Sequence, residues 1–326
     1  MIESLYLHIP FCDSICNYCD FSKVFTRCFD HLSYLKCLIS EIESFQIPSH
    51  SLKTIYIGGG TPSALRKDEL EYLLSYLDRR FFPLEEFTLE ANPESLDEEK
   101  IRILEKYHVN RVSLGVQAVS ENLLKSLNRK HTTRNVRECV ECLRRHGIKN
   151  INLDFIYGIP NSSKEDIQDD LDFVSDMKPT HVSFYSLQIE EGTVFHNQDV
   201  KPLDGERMRE EYDFIRERLS LLGYHRYEVS NFSLPGYESK HNMTYWKDRE
   251  YYAAGVSASG YVKDHRYTNT RSITHYMEGK RILTEEKLSE PEMEFEYLML
   301  NLRLSQGFSL KDFFLRFHIT SSISLS

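Results

Sequence analysis

Three cysteines crowd into a short stretch near the start of the chain: Cys12, Cys16 and Cys19, spaced Cys-x3-Cys-x2-Cys. Thiolates are soft ligands that suit iron–sulfur clusters and zinc. A cubane cluster takes four ligands, so three thiolates leave one iron open to an outside group. The competing reading is a structural zinc whose fourth ligand comes from His8 or elsewhere. The spacing differs from the usual Cys-x2-Cys zinc pairs and favours the cluster. The other four cysteines read differently. Cys139 and Cys142 sit three apart in a helical pattern and look like small core hydrophobes, and Cys28 and Cys37 have no ligand-like spacing.

A second constellation is His241-Asn242-Met243-Thr244-Tyr245-Trp246, followed by Tyr251-Tyr252, with the chain's single Trp. An imidazole beside large aromatic faces is a chemically sensible axial ligand for the iron of a flat macrocycle. The bland reading is a capped loop packed against the domain edge.

The elements that must hold these residues alternate along the chain. Short apolar runs at 5–9, 54–57, 87–89, 111–116, 151–157 and 181–187 predict strands. Between them, apolar residues at helical spacing predict helices: Leu70, Leu73, Leu74 and Leu77; Val136, Cys139, Val140 and Leu143; Ile167, Leu171, Val174 and Met177; Met208, Tyr212, Ile215, Leu219 and Leu222. Gly147 and Gly223 stand where helix stops belong. Such alternation implies parallel strands joined by right-handed crossovers, an α/β fold. The units are too few to close an eight-stranded barrel, so a partial (β/α)6 TIM-type barrel is expected, with a doubly wound sheet as the alternative. The rhythm breaks near Tyr224. The expected division is a barrel domain over 1–223, a linking segment over 224–289, and the start of a smaller C-terminal helical extension over 290–326, ending in a serine-rich tail.

Composition narrows the function classes. The 326 residues carry a net charge of -10, and no Lys/Arg run suggests a groove that tracks nucleic acid. No stretch approaches the length of a membrane span and no signal segment opens the chain. A cytoplasmic, reducing location is expected, where crowded thiols favour metal over disulfides.

Several further motifs follow one another in a fixed order. They are Leu5-Tyr6-Leu7-His8-Ile9-Pro10-Phe11-Cys12, Cys16-Asn17-Tyr18-Cys19-Asp20-Phe21, Gly58-Gly59-Gly60-Thr61-Pro62-Ser63, Glu90-Ala91-Asn92-Pro93-Glu94, Ser113-Leu114-Gly115-Val116-Gln117, Asn128-Arg129 and Asn152-Leu153-Asp154-Phe155-Ile156-Tyr157-Gly158-Ile159-Pro160. Over essentially its whole length the chain thereby resembles the radical S-adenosylmethionine (SAM) superfamily, and within it the oxygen-independent coproporphyrinogen III oxidase group. The resemblance implies a [4Fe-4S] cluster on Cys12, Cys16 and Cys19, with SAM chelating the open iron. It places Tyr6 beside cluster and cofactor, and Gly59, Gly60 and Thr61 in a turn that lets backbone groups approach the methionine end of SAM. Glu90 and Gln117 would stand at strand ends facing the cofactor. Asp154, a charge inside an apolar strand, would hold the ribose hydroxyls, and Arg129 would pair with the methionine carboxylate. Each has a plainer reading as a polar barrel-interior or surface residue, but strand C-terminal ends are where barrel sites are built.

Within that group the resemblance is to the HemW-type heme chaperones. The oxidases carry a fourth cysteine two positions after the third and a longer N-terminal extension. Here Phe21 stands at that position, and His241–Trp246 is similar to the H-N-x-x-Y-W element of the chaperones. Heme as cargo, His241 as its ligand, a heme-accepting protein and an electron donor such as flavodoxin or ferredoxin are therefore expected. Coproporphyrinogen III oxidation (a dehydrogenase activity on a porphyrin precursor) is the alternative. The chain departs from its relatives at Ser259, where they commonly place His, and in a C-terminal part that looks shortened. Radical modification of RNA, a third class, finds no basic or aromatic platform.

Overall fold

The computed structural model of the protein describes residues 1–318. The serine-rich tail read from the sequence lies outside the described residues. Strand β1 (Ser4–Ile9) sets the pattern of the sheet. Side chains alternate across a strand, and Leu5, Leu7 and Ile9 are completely buried among the core side chains. Tyr6 and His8 take the opposite face. The same alternation recurs in β2 (Thr54–Gly59), β3 (Glu86–Ala91), β4 (Arg111–Gln117), β5 (Asn150–Tyr157) and β6 (His181–Ser186). These strands pair in chain order, each parallel to the next. One face of the sheet is aliphatic and aromatic; the other carries Tyr56, Glu90, Ser113, Asp154 and their neighbours.

Helices cover the aliphatic face. They are α1 (His31–Ser44), α2 (Lys67–Phe81), α3 (Glu98–Lys106), α5 (Thr133–Arg145), α6 (Lys164–Met177) and α7 (Gly205–Leu221), while the short α4 (Glu121–Ser126) packs in a separate cluster with Ile156 and Leu187. Their starts follow from side-chain caps: Asp30 for α1, Asp97 for α3, Thr132 for α5, Ser163 for α6 and Asp204 for α7 each accept a backbone N–H of the first turn. The four apolar stripes expected from the sequence lie in α2, α5, α6 and α7, and Cys139 and Cys142 are buried in the core as expected.

Residues 224–289 do more than link. Strands β7 (His225–Arg226) and β8 (Asn231–Ser233) extend the sheet antiparallel beyond β6, and β9 (Tyr252–Ala254) lies parallel beside β1. The result is a nine-stranded, mostly parallel sheet in the order β9-β1-β2-β3-β4-β5-β6-β8-β7, a partial barrel with β9 and β7 at its edges. Helix α8 (Lys240–Trp246) closes the N-terminal end of the strands. A separate antiparallel sheet of β10 (Ser259–Val262), β11 (His265–Asn269) and β12 (Ile282–Lys287) leads to helices α9 (Glu290–Asn301) and α10 (Leu310–Arg316). This C-terminal part has a small core of its own around Tyr297, Phe313 and Phe317. Buried Asp248 ties it to the sheet domain through Arg266 at 3.1 Å and Arg316 at 2.7 Å.

Candidate functional site

The thiol loop leaves β1 at Pro10 and is fixed from several sides. Phe11 and Cys12 pair with Val24 and Phe25 as a short parallel bridge. His8 reaches the loop from below, with Nε2 2.9 Å from the Ser22 carbonyl and Nδ1 3.1 Å from the Tyr6 hydroxyl. A carbonyl only accepts, so Nε2 carries the proton and Nδ1 accepts from Tyr6. Burial lowers the His8 pKa to about 4, which keeps it neutral. With both nitrogens engaged, His8 is not free to complete a zinc site. On the far side Asn17 donates to the Leu127 and Ser126 carbonyls, and Asn128 donates to the Ile15 carbonyl, so the end of α4 clamps the loop. Lys23 donates to the Cys19 and Phe21 carbonyls.

Cys12, Cys16 and Cys19 line one cavity of about 490 Å³, together with Gly59, Gly60, Thr61, Glu90, Gln117, Arg129 and Asp154. The sequence motifs thus converge at the C-terminal ends of the strands. The glycine turn after β2 is required by the loop's approach. A Cβ on Gly60 would stand 2.8 Å from the Pro10 carbonyl oxygen and 3.0 Å from Cys12 Sγ. Gly59 adopts φ +112°, and a Cβ there would meet the His8 ring at 2.6 Å. Thr61 Oγ1 lies 3.5 Å from Cys12 Sγ. Burial pushes the Cys12 thiol up to about 11; a bound cationic metal centre would offset that by stabilising the thiolate.

Two carboxylates form the floor. Glu90 accepts from the Tyr56 hydroxyl at 2.7 Å and from the Gly59 N–H at 3.1 Å. Burial pushes it up to about 7, against the effect of the Tyr56 hydrogen bond, and the nearby Asp154 charge adds to the rise. Asp154 accepts from Ser113 and Asn152, each at 2.8 Å. Burial raises it as well, while Ser113, Ser183 and Arg111 oppose the shift. The Arg111 side chain is entirely buried near this floor, and its Nε and Nη1 have no hydrogen-bond partner. Arg129 reaches the cavity from the turn after α4. Its Nη2 donates to Asn92 at 2.8 Å and to the Gly115 carbonyl at 2.7 Å, and its Nη1 lies 3.7 Å from Cys16 Sγ. Its Nε is buried without a partner and stands ready for an acceptor.

Gln117 joins the cavity with a left-handed backbone at φ 68°. Phe21 stands at the mouth, 64 % exposed. Tyr6 does not line the cavity, which corrects its expected place beside cluster and cofactor: it lies one layer lower, beside the Tyr56 ring, and its hydroxyl donates to His8 Nδ1. Tyr18, Lys23, Asn92 and Tyr185 also line or frame the cavity and were not singled out by sequence. Asn92 carried a readable signal inside Glu90-Ala91-Asn92-Pro93-Glu94, and Tyr18 one inside Cys16-Asn17-Tyr18-Cys19; Lys23 and Tyr185 carried none.

His241 is not brought to this cavity. It is completely buried at the opposite, N-terminal end of the strands. Its Nδ1 is 2.8 Å from Thr54 Oγ1 and its Nε2 is 2.7 Å from the Tyr245 hydroxyl. Burial lowers its pKa to about 3. Neither nitrogen faces a site that a macrocycle can reach, which corrects the expected ligand role: the element anchors a helix from within.

Among the described residues, no three His, Cys, Asp or Glu side chains converge on a single-ion site. Three thiols sharing one cavity, a glycine cradle and the orphaned Arg129 Nε fit a cubane cluster with SAM at its open iron.

The model of the radical SAM superfamily matches residues 6–174. The chain is 42 % identical over 320 residues to the heme chaperone HemW of Lactococcus lactis subsp. lactis (strain IL1403), covering 95 % of this chain and 84 % of that protein. It is 36 % identical over 332 residues to the heme chaperone HemW of Bacillus subtilis (strain 168), covering 96 % and 86 %. The solved structure of coproporphyrinogen III oxidase (HemN) from Escherichia coli superposes with a TM-score of 0.85 at 20 % identity, covering 98 % of this chain and 79 % of that one.

Proposed function

The chain belongs to the radical SAM superfamily and, within it, to the HemW family, and from this premise we propose that it is a heme chaperone. It holds a [4Fe-4S] cluster on Cys12, Cys16 and Cys19, binds SAM at the open iron, and carries heme to an acceptor protein. The observation that carries the cofactor part is the meeting of the three thiols with Gly59, Gly60, Thr61, Glu90, Gln117, Arg129 and Asp154 in one cavity. When bound, the cluster would supply an open iron for SAM. The chain's own residues orient the rest. Asp154, fixed by Ser113 and Asn152, presents oxygens to ribose hydroxyls. Arg129 offers its free Nε to the methionine carboxylate. Phe21 covers the mouth of the cavity with an apolar ring. An electron donor of the flavodoxin or ferredoxin type and a cytoplasmic location complete the proposal. No helix among the described residues is long and apolar enough to cross a membrane.

The second reading is coproporphyrinogen III oxidation, favoured by the shape match to HemN. Phe21 weighs against it, because a phenyl ring supplies no thiol beside the cofactor. One experiment separates the two: anaerobically reconstituted protein is incubated with SAM and coproporphyrinogen III, with a parallel heme titration. The expected outcome is about four iron per chain, about one heme per chain, and no decarboxylated product. Changing Cys12, Cys16 or Cys19 to Ala abolishes the cluster absorption, whereas Cys28→Ala and Cys37→Ala leave it intact. Turnover of coproporphyrinogen III would install the oxidase.

A further inference from the structure

With His241 walled in, the heme of the proposed function needs another site, and a cleft at the opposite end of the sheet from the thiols has the chemistry for it. Its volume is about 520 Å³, within the range of pockets that hold cofactor-sized ligands. It is bounded by the N-terminal ends of β1 and β2, by the edge strand β7 and by the outward face of α8. The buried face of α8 carries His241. Half-buried Met243 and Lys247, with Thr244 buried behind them, line the cleft.

Two iron-ligating side chains open into it. His225 is exposed, and its Nε2 lies 2.7 Å from Glu238 Oε1. That bond fixes the ring and leaves Nδ1 free, the arrangement in which metal-ligating histidines are held by an outer carboxylate. Met243 is half-buried and presents a thioether to the same cleft. Imidazole and thioether together are a known axial pair for heme iron.

The charge is right as well. The cleft holds Lys53, Arg226, Lys240, Lys247 and Arg249 against Glu3, Glu85 and Glu238. Two of the three carboxylates are ion-paired, Glu3 with Lys53 at 2.7 Å and Glu85 with Lys240 at 2.9 Å, and Glu238 accepts the hydrogen bond from His225. Arg226, Lys247 and Arg249 form no ion pair among the described residues. Arg226 donates only to the Tyr212 hydroxyl, at 2.9 Å. In a chain of net charge -10, an excess of unpaired cations around one cavity fits a ligand with carboxylates, and the propionates of heme are such groups.

We propose that this cleft is the heme site, with His225 Nδ1 and Met243 Sδ as axial ligands and Lys247, Arg249 and Arg226 on the propionates. The inference rests on heme being the cargo. The test is a hemin titration of the full chain by Soret absorption, comparing parent, His225→Ala, Met243→Leu, the double variant Lys247→Glu/Arg249→Glu, and the surface control His275→Ala. Circular dichroism establishes that each variant is folded. His225→Ala should lose the shifted Soret band of the ligated iron, and Met243→Leu should change the spectrum toward a five-coordinate form. The charge reversal should weaken binding by about tenfold or more. His275→Ala should match the parent. Iron-free protoporphyrin IX should feel the charge reversal and ignore His225→Ala. If the parent binds hemin and the His225, Met243 and charge variants bind it identically, this site is wrong while the cargo stands. If the parent does not bind hemin, the chaperone reading falls and the site with it.

Discussion

At the scale of single residues, the cofactor cavity is a place where carboxylates are held in an environment that disfavours their charge. Glu90 faces Tyr56, the Gly59 N–H, Asp154 and the buried Arg111. Its pKa is pushed up to about 7, with burial the largest cause. In the cofactor-free protein the folded state therefore holds this proton more tightly than the unfolded chain does. The sign follows: the contribution to stability is fully present below the unfolded carboxylate value and is lost as pH rises through about 7. His8 and His241, buried and neutral, push stability the other way over about pH 5–6.5 in parent and variant alike. The reading is therefore the difference: parent minus Glu90→Gln stability, from urea unfolding, should fall by on the order of 2 kcal/mol between pH 5 and pH 8. A parent-minus-variant difference that stays constant over this range would overturn the assignment. Asp154 supports a different test, because its oxygens are set by Ser113 and Asn152. Asp154→Ala should weaken SAM binding, read from the electron paramagnetic resonance of the reduced cluster, by roughly 1.5–3 kcal/mol for a lost charge-assisted contact. Unchanged SAM affinity would remove Asp154 from the site.

At the scale of elements, helix α8 shows how a short segment is held by distant residues. Buried Glu86, at the start of β3, accepts from the His241 and Lys240 N–H groups, each at 2.9 Å, and from Ser239 Oγ at 3.2 Å. Negative charge at a helix start is favourable, and here it sets where α8 lies across the strand ends. Glu86→Ala leaves three buried or half-buried donors without their acceptor. We expect a loss of about 3 kcal/mol or more, measured as a lower denaturant midpoint, with hemin affinity reduced in the surviving folded fraction. A change below about 0.5 kcal/mol, the usual range for surface substitutions, would show that α8 holds its place without this clamp. The same helix shows what the sequence could and could not reveal. Strands β1 to β6 and helices α2, α5, α6 and α7 were legible because each has an apolar face that declares itself, whereas α1, 14 residues long, was not singled out. Strands β7, β8 and β9 span two or three residues, too few for any period. The thiols were legible because three soft ligands share one short loop, whereas the glycine turn, Glu90, Gln117, Arg129 and Asp154 were singled out through the family resemblance and share the cavity with the thiols. The place of His241 was not, because Thr54 and Glu86, which enclose it, are far away in sequence. A histidine among aromatics reads alike whether it faces solvent or a strand end.

At the scale of the whole molecule, the parallel sheet gives the protein two chemically distinct ends. The C-terminal strand ends, with Gly59, Glu90, Gln117 and Asp154, surround the thiol loop. The N-terminal strand ends, with Ser4 and Thr54, border the cleft of His225 and Met243. Between them lies a packed interior in which Tyr56, Arg111, Asn152 and His181 occupy the space. Direct contact between SAM and a macrocycle in that cleft is excluded by this geometry, since the strand length separates them. An oxidase needs the opposite, with the tetrapyrrole side chain beside the cofactor. The two cavities therefore make a prediction about coupling that neither makes alone. Hemin should bind the cluster-free protein with the affinity it shows for the reconstituted one. Saturating SAM should not displace hemin, and Cys16→Ala should leave the hemin isotherm unchanged. Conversely, Lys247→Glu/Arg249→Glu should leave SAM binding to the cluster as in the parent. The measurement is a pair of titrations, hemin with and without SAM, on reconstituted and cluster-free protein. Independent ligands give a coupling free energy near zero, whereas a shared site makes each ligand weaken the other by the same factor. Mutual displacement would place the macrocycle over the thiol cavity, beside SAM, and would move the balance toward the oxidase.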